Sequence, residues 1–296
     1  MPSETARAKI NLTLHVGALI SDPSHRSFGY HPVDSLVMFA DTGDKISCEE
    51  ADAVSLDISG AFADNLQPAP DNLILRAYEI VREHADLPLL HFHLEKNLPV
   101  AAGIGGGSAN AAAVLRLLKH YADLDQATWL SIATGLGADV PVCLLSKTAI
   151  MRGIGETVTP LRGMGTVFAV LVNPGIAVST GEIFAAFDSD PHPAMPEDNP
   201  PHPNLSTMFR AGQNDLQPYT LMRYPGVAFC HETLCREIPG NLQISHPQHI
   251  RMSGSGATCF ILFDDERTSG EAARQLKNRE PDWWVKTTRL GEPHAC

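Results

Sequence analysis

Basic residues are scarce in this chain. Lys and Arg number 22 against 34 Asp and Glu, a formal charge of −12. That balance excludes a nucleic-acid partner, whose backbone demands a basic footprint. No apolar run reaches the roughly 18 residues a membrane helix needs, so no membrane partner is expected. Met1-Pro-Ser-Glu-Thr lacks the basic and apolar stretches of a secretory leader, which points to the cytoplasm. The six cysteines form no CxxC pair, which argues against a zinc ribbon or a disulfide framework and for reduced thiols. Thirteen histidines are present but do not cluster as ligands. His91 and His93 alternate along an expected strand, and two ligands do not complete a metal shell.

What is present is an ordinary globular composition, 44% apolar and 19% charged over 296 residues, enough for two domains. Alternation predicts strands over residues 8–14, 33–39, 44–49 and 89–95, with a turn at Asp41-Thr-Gly-Asp between the second and third. Helical spacing predicts a helix over residues 72–84, with Asp71 as its N-cap. An alanine-rich helix is expected to run to about Tyr121, and another to follow Asp125 and break at Gly135–Gly137. A domain change is expected in the glycine-rich stretch 153–165. Beyond it, strands are expected at 167–172, 259–263 and 284–289. Helices are expected at 226–237 and 270–278, with a weaker one at 219–224. Residues 190–203 are rich in proline and read as an exposed, mobile insert. No internal repeat is found.

The densest signal is Gly103, Gly105, Gly106 and Gly107, immediately before the alanine-rich helix. Glycine permits positive φ and removes the Cβ that would hold a ligand away. The helix start adds unpaired N–H groups and the positive end of a dipole. Together they make an anion site suited to phosphate, and the Ser108 hydroxyl adds a possible contact to a phosphate oxygen or Mg²⁺. The Gly-Lys-Ser/Thr ending of a P-loop is missing, and so is the third glycine in register for a dinucleotide fingerprint.

Three segments taken in order resemble the GHMP small-molecule kinase superfamily: Ala8-Lys-Ile-Asn-Leu-Thr-Leu, residues 99–112 and Ser253-Gly-Ser-Gly-Ala. Gly29-Tyr-His, Asp71-Asn-Leu, Gly137-Ala-Asp-Val-Pro and Asn214-Asp-Leu place the chain nearest to members acting on a cytidine diphosphate derivative. The resemblance covers nearly the full length, apart from the proline-rich insert. It implies an α+β two-domain GHMP kinase fold: a ribosomal-protein-S5-like N-terminal domain over 1–152 and a ferredoxin-like C-terminal domain over 153–296. It also implies ATP as co-substrate, with Mg²⁺, and a small-molecule acceptor bound by a monomer or weak homodimer. Asp139 is then the catalytic base and Lys9 its partner. Pro99, Gly103, Gly105, Gly106, Gly107, Ser108, Asn110, Lys96 and Asn72 would meet the nucleotide. Asn11, Tyr30, His31, Thr180, Phe184, Gly254 and Gly256 would meet the acceptor, with Tyr30 and Phe184 stacking on the base and His31 reading its edge. On residues alone, Asp139 could equally be a helix cap and Lys9 a solvated strand residue. Two departures stand out: Ala109 replaces the family's second loop serine, and Phe28 replaces an acidic residue. Rival readings are a homoserine or mevalonate type of the same superfamily, or an NAD-dependent oxidoreductase.

Overall fold

The computed structural model describes residues 1–66, 71–190, 195, 204–241 and 250–292. The expected insert at 190–203 lies almost wholly outside the described residues. In chain order the elements are β1 (Ser3–Asn11), β2 (His15–Val16), β3 (Val33–Glu50), β4 (Ser55–Ser59), α1 (Leu73–Arg82), β5 (Leu90–Glu95) and α2 (Gly106–Leu118). They continue through α3 (Gln126–Leu136), α4 (Val140–Leu145), β6 (Ala149–Arg152), β7 (Thr157–Pro160), β8 (Val167–Asn173) and α5 (Thr180–Asp188). The last are α6 (Leu205–Ala211), α7 (Gln217–Arg223), α8 (Pro225–Asn241), β9 (Ile250–Met252), β10 (Cys259–Phe263), α9 (Glu266–Arg279) and β11 (Trp284–Leu290).

These elements form two compact units. One comprises Met1–Lys9, Thr42–Val100 and Gly105–Ser146; the other comprises Ile10–Asp41, Ala101–Ile104 and Lys147–Cys296. In the first unit, β3 pairs antiparallel with β5, and β5 pairs parallel with β4. Ile46, Cys48, Leu90, Phe92 and Leu94 fill its buried face. Tyr78 of α1 meets Phe92 of β5 edge to face at 5.7 Å. Ala111, Ala112 and Ala113 have no exposed surface, as expected of a helix whose small side chains allow close packing.

The segment expected to turn at residues 41–44 is instead continuous strand within β3. Gly43 is there for space. A Cβ at that position would lie 2.4 Å from the Ala6 carbonyl oxygen of neighbouring β1. The turn-like composition therefore reflects a close strand approach. A second correction concerns α1. Its N-cap is Asn72, whose side chain accepts from the Ile74 N–H at 2.9 Å, and not Asp71. A third concerns the oxidoreductase reading. The helix α2 after β5 is followed by α3 and α4, not by a parallel strand beside β5, so no dinucleotide-binding βαβ unit forms there.

In the second unit, β8 lies between β10 and β11, antiparallel to both, and β9 extends the sheet from β10. Val170, Val172, Ile261, Phe263, Val227 and Leu276 belong to its core. Asn214 is buried and acts as a clamp. Its Nδ2 donates to the carbonyls of Met252 and Gly254 at 2.7 and 2.8 Å, and its Oδ1 accepts from the Leu216 N–H at 3.0 Å. Arg251 donates to the carbonyls of Leu12 and Phe209 and lies 3.8 Å over the Phe209 ring. Burial pushes its guanidinium down to about 10.

Asn214→Ala strands two carbonyls and one N–H, and the expected loss is about 3 kcal/mol of unfolding free energy, read from denaturant midpoints. His15 supplies a pH test. The Asp215 carboxylate, 3.6 Å from His15 Nδ1, raises the pKa of the imidazole. A raised folded value means the contribution is complete below about 6.5 and fades as pH rises through the folded value. The stability gap between the native chain and His15→Gln is therefore expected to be largest near pH 6 and to shrink by pH 9, followed by thermal unfolding across that range.

Candidate active site

In the first unit, the helix that carries the glycine run begins at Gly106, with Gly105 as its N-cap at φ +64°. A side chain is strained in that conformation. Space is tight as well, because a Cβ on Gly105 would meet Cβ and Cε of Lys9 at 3.2 and 3.3 Å, so the lysine stem would have to give by a few tenths of an ångström. No side chain caps α2, so the N–H groups of its first turn, at Gly106, Gly107 and Ser108, are left for a ligand. Gly106 and Gly107 are thus helix residues, and their small size keeps the approach to those donors open.

Lys9 lies in the buried part of β1 with Arg7 and Asn11, and its side chain is only 5% exposed. Its Nζ contacts Asp139 Oδ2 at 2.7 Å. Asp139 stands at the N-cap position of α4 but makes no capping hydrogen bond. Its carboxylate is directed to Lys9 and remains one-third exposed. The helix-cap and solvated-lysine readings are therefore both excluded. The same unit holds a partly exposed carboxylate, an ammonium beside it and, against the ammonium's stem, the uncapped N-terminus of α2. Cys143, one turn into α4, supplies no nucleophile: burial, with Asp139 nearby, pushes its thiol up to about 12.

A second ion pair lies under the same helix. Lys96 Nζ meets Asp44 Oδ2 at 2.6 Å, and both side chains are buried. Asp44 Oδ1 accepts from the N–H groups of Asn97 and Leu98, each at 2.8 Å. Burial holds the Lys96 pKa below its usual value, against the raising effect of Asp44. Nζ also lies 3.4 Å from where a Gly106 Cβ would stand. Asp44 did not emerge from the sequence, although period-2 alternation puts it on the buried face with Ile46 and Cys48. Pro99 is buried, and Asn72 is occupied in capping α1. Asn110 is buried, and its Oδ1 has no protein partner among the described residues.

In the second unit, Gly103 (φ +71°) is required by packing. A Cβ there would lie 2.4 Å from the Ser253 carbonyl oxygen and 2.6 Å from that of Gly256. Ser253 Oγ accepts from the Asn11 N–H and donates to the Gly103 carbonyl, an anchoring role that sequence reading missed. Gly254 and Gly256 have φ +57° and +89°, and a Cβ on Gly254 would approach the Gly103 carbonyl at 2.8 Å. Thr180 opens α5, and its hydroxyl meets the Ser255 hydroxyl at 2.8 Å.

Asn11 donates through Nδ2 to Ser35 Oγ at 2.7 Å, and Ser35 donates to the Thr13 carbonyl. Because Ser35 spends its proton on that carbonyl, Asn11 must present its N–H₂ to Ser35, which fixes the orientation of the amide. Its Oδ1 is then a buried acceptor with no partner among the described residues.

His31 stacks on Phe184 at 4.9 Å and 29°. Its Nδ1 lies 2.9 Å from the Gly17 carbonyl oxygen, and its Nε2 lies 3.3 Å from Asp188 Oδ2. Both ring nitrogens are therefore taken by protein groups. The main-chain N–H and C=O of His31 have no main-chain partner among the described residues. Tyr30, beside it, is 55% exposed. His91 and His93 bond to Ser55 and Ser59, and no three potential ligands gather to hold a metal among the described residues.

Comparison with known proteins fits this geometry. Residues 72–147 match the family model for the GHMP kinases N terminal domain, and residues 207–282 match that for the GHMP kinases C terminal. A 4-diphosphocytidyl-2-C-methyl-D-erythritol kinase from Parvibaculum lavamentivorans is 43% identical, over 98% of this chain and 98% of its own length. A crystal structure of 4-(cytidine 5'-diphospho)-2C-methyl-D-erythritol kinase superposes with TM-score 0.75 at 28% identity, covering 99% of this chain and 100% of that one. A homoserine kinase from Cytophaga hutchinsonii, with TM-score 0.61 and 15% identity over 98% of this chain and 96% of its own, shares the fold. The chain belongs to the 4-diphosphocytidyl-2-C-methyl-D-erythritol kinase family of the GHMP kinases.

Proposed function

We propose that the chain transfers the γ-phosphoryl group of ATP to the 2-hydroxyl of 4-diphosphocytidyl-2-C-methyl-D-erythritol, a step in non-mevalonate isoprenoid precursor synthesis. One observation carries the reading. Lys9 lays its stem on Gly105 at the tip of α2 while its Nζ holds Asp139 at 2.7 Å. Phosphoryl transfer needs positioned phosphates and a group to receive the alcohol's proton, and this arrangement supplies both side by side.

The N–H groups of Gly106, Gly107 and Ser108 bind the nucleotide's phosphate oxygens, helped by the positive end of the helix dipole. The acceptor hydroxyl approaches Asp139, which takes its proton as the new O–P bond forms and the bond to the leaving ADP oxygen breaks. Lys9 offsets the negative charge on the moving phosphoryl group and keeps the carboxylate turned toward the reaction. In the second unit Asn11 is held by Ser35. Its unpartnered Oδ1 suits a second hydroxyl of the methylerythritol end. Lys96, fixed by Asp44, and the buried Asn110 steady the nucleotide side of the loop. Asn72 and Pro99 shape the ground beneath it, and Gly103 holds the loop's first turn.

Mg²⁺ fits as an ion carried mainly by the nucleotide, with the Ser108 hydroxyl as its protein contact, since this ion is commonly held by substrate phosphates and few protein groups. When bound, it neutralises charge on the phosphate oxygens. The cytosine ring stacks on exposed Tyr30, while Phe184 backs His31 and the free main-chain groups of His31 meet the base edge. Thr180, Gly254 and Gly256 line the acceptor's path. The working form is a monomer or weak homodimer in the cytoplasm, with the N-terminal domain over residues 1–152 and the C-terminal domain over 153–296.

The test is ADP release from ATP with three acceptors offered in parallel, using native chain and Asp139→Asn. Turnover is expected with the cytidine diphosphate acceptor and not with mevalonate or homoserine. The variant is expected to lose about 10²–10⁴ in kcat, the usual worth of a general base, with KM for ATP within about threefold. Preference for mevalonate or homoserine would overturn the acceptor assignment. Undiminished kcat in Asp139→Asn would remove that residue from the chemistry.

A further inference from the structure

We infer that Asp188 is a positioning residue for the cytidine end of the acceptor, acting through His31. The inference rests on the cytidine reading above and assigns a role to a residue that no motif pointed to.

His31 is held from four sides. Its Nδ1 faces the Gly17 carbonyl at 2.9 Å, and its Nε2 faces Asp188 Oδ2 at 3.3 Å. One face lies on Phe184, and Phe187 meets the ring edge-on at 6.0 Å. Phe187 is in turn braced by Tyr219 at 5.5 Å. Three of these contacts come from elements with other reasons to be where they are: Phe184 and Phe187 pack in or against the core, and Gly17 lies in the segment joined to Pro32 by a main-chain hydrogen bond. The Asp188 carboxylate is different. It closes the fourth side with a charge, on a side chain still one-third exposed.

Helix stability does not explain that charge. Asp188 is the last residue of α5, where the helix dipole turns its negative end. A carboxylate there works against the helix, so its replacement should leave α5 as stable or more so. What the carboxylate does is hold the imidazole in the single orientation that keeps both the Phe184 stack and the Gly17 contact. Gly17 O and the carboxylate stand at opposite nitrogens of the ring, so a turn of the imidazole would break both contacts. With the ring fixed, the main chain at residue 31 and the neighbouring exposed Tyr30 are held in place before a flat base arrives. Pre-organisation of this kind strengthens binding of the group it faces without touching the transferred phosphoryl. Asp188 itself need make no contact with substrate.

The prediction is a split in kinetic constants. Asp188→Ala should raise KM for the cytidine diphosphate acceptor about tenfold, the scale of one hydrogen bond to a charged group. Its kcat and its KM for ATP should stay within about twofold. Inhibition by CMP, competing at the same end, should weaken in parallel. Asp188→Asn, whose amide oxygen can still accept from Nε2, should recover part of the loss. The melting temperature of Asp188→Ala should equal or exceed that of the native chain. Unchanged acceptor KM and CMP inhibition in Asp188→Ala, with a normally active native chain, would overturn the inference and leave the proposed function standing. So would a lowered melting temperature with both substrates' KM raised alike. A native chain that ignores the cytidine acceptor would instead remove the reading on which the inference rests.

Discussion

A lysine buried in a strand is tolerable only if its ammonium finds a partner and its stem finds something to lie on. Lys9 finds both: Asp139 takes the charge, and Gly105 offers a backbone with no side chain in the way. Much of the first unit's local design follows. Gly105 is favoured as glycine by its positive φ, and the Lys9 stem leaves little room for a side chain there. Asp139 must forgo capping α4 to meet the ammonium. The pairing that offsets the cost of burying Lys9 is thus also what fixes the Asp139 carboxylate, the feature on which the proposed chemistry rests.

Lys96 and Asp44 repeat the arrangement a short distance along the same loop. Here both partners are buried, and the second carboxylate oxygen is consumed by two main-chain N–H groups at Asn97 and Leu98. Such a pair is not an efficient route to stability, since desolvation offsets much of the attraction. Its use is geometric. It fixes the chain just before the glycines and sets an ammonium near Gly106. In the second unit the Asn11–Ser35–Thr13 relay does a comparable job with neutral groups, leaving one buried acceptor, Asn11 Oδ1, without a partner among the described residues.

The elements most legible in the sequence were those whose periodicity and punctuation agree. The glycine run followed by alanines marked the start of α2, and Asp125 marked α3 as a true side-chain cap. The long apolar runs gave β8 and β10. Legibility failed where composition and tertiary need diverge. Asp41-Thr-Gly-Asp has turn composition, but Gly43 makes room for β1 and Asp44 turns inward to Lys96. Val140-Pro-Val hid α4, although proline is acceptable in a first helical turn. Within the site, motifs supplied Lys9, Asp139 and Ser108. They could not supply Asp44, Asp188 or the anchoring role of Ser253, all of which act on other protein groups. They could not show either that Gly103 is dictated by the backbone of Ser253 and Gly256, or that both ring nitrogens of His31 are already engaged.

The claim on which the rest turns is that the tip of α2 holds the nucleotide's phosphates next to Lys9. It is tested most directly by a crystal structure with a non-hydrolysable ATP analogue and Mg²⁺. Phosphate oxygens within about 3.2 Å of the main-chain nitrogens of Gly106, Gly107 and Ser108 are the predicted result. Phosphates bound away from that helix tip, with those three N–H groups facing only water, would contradict it.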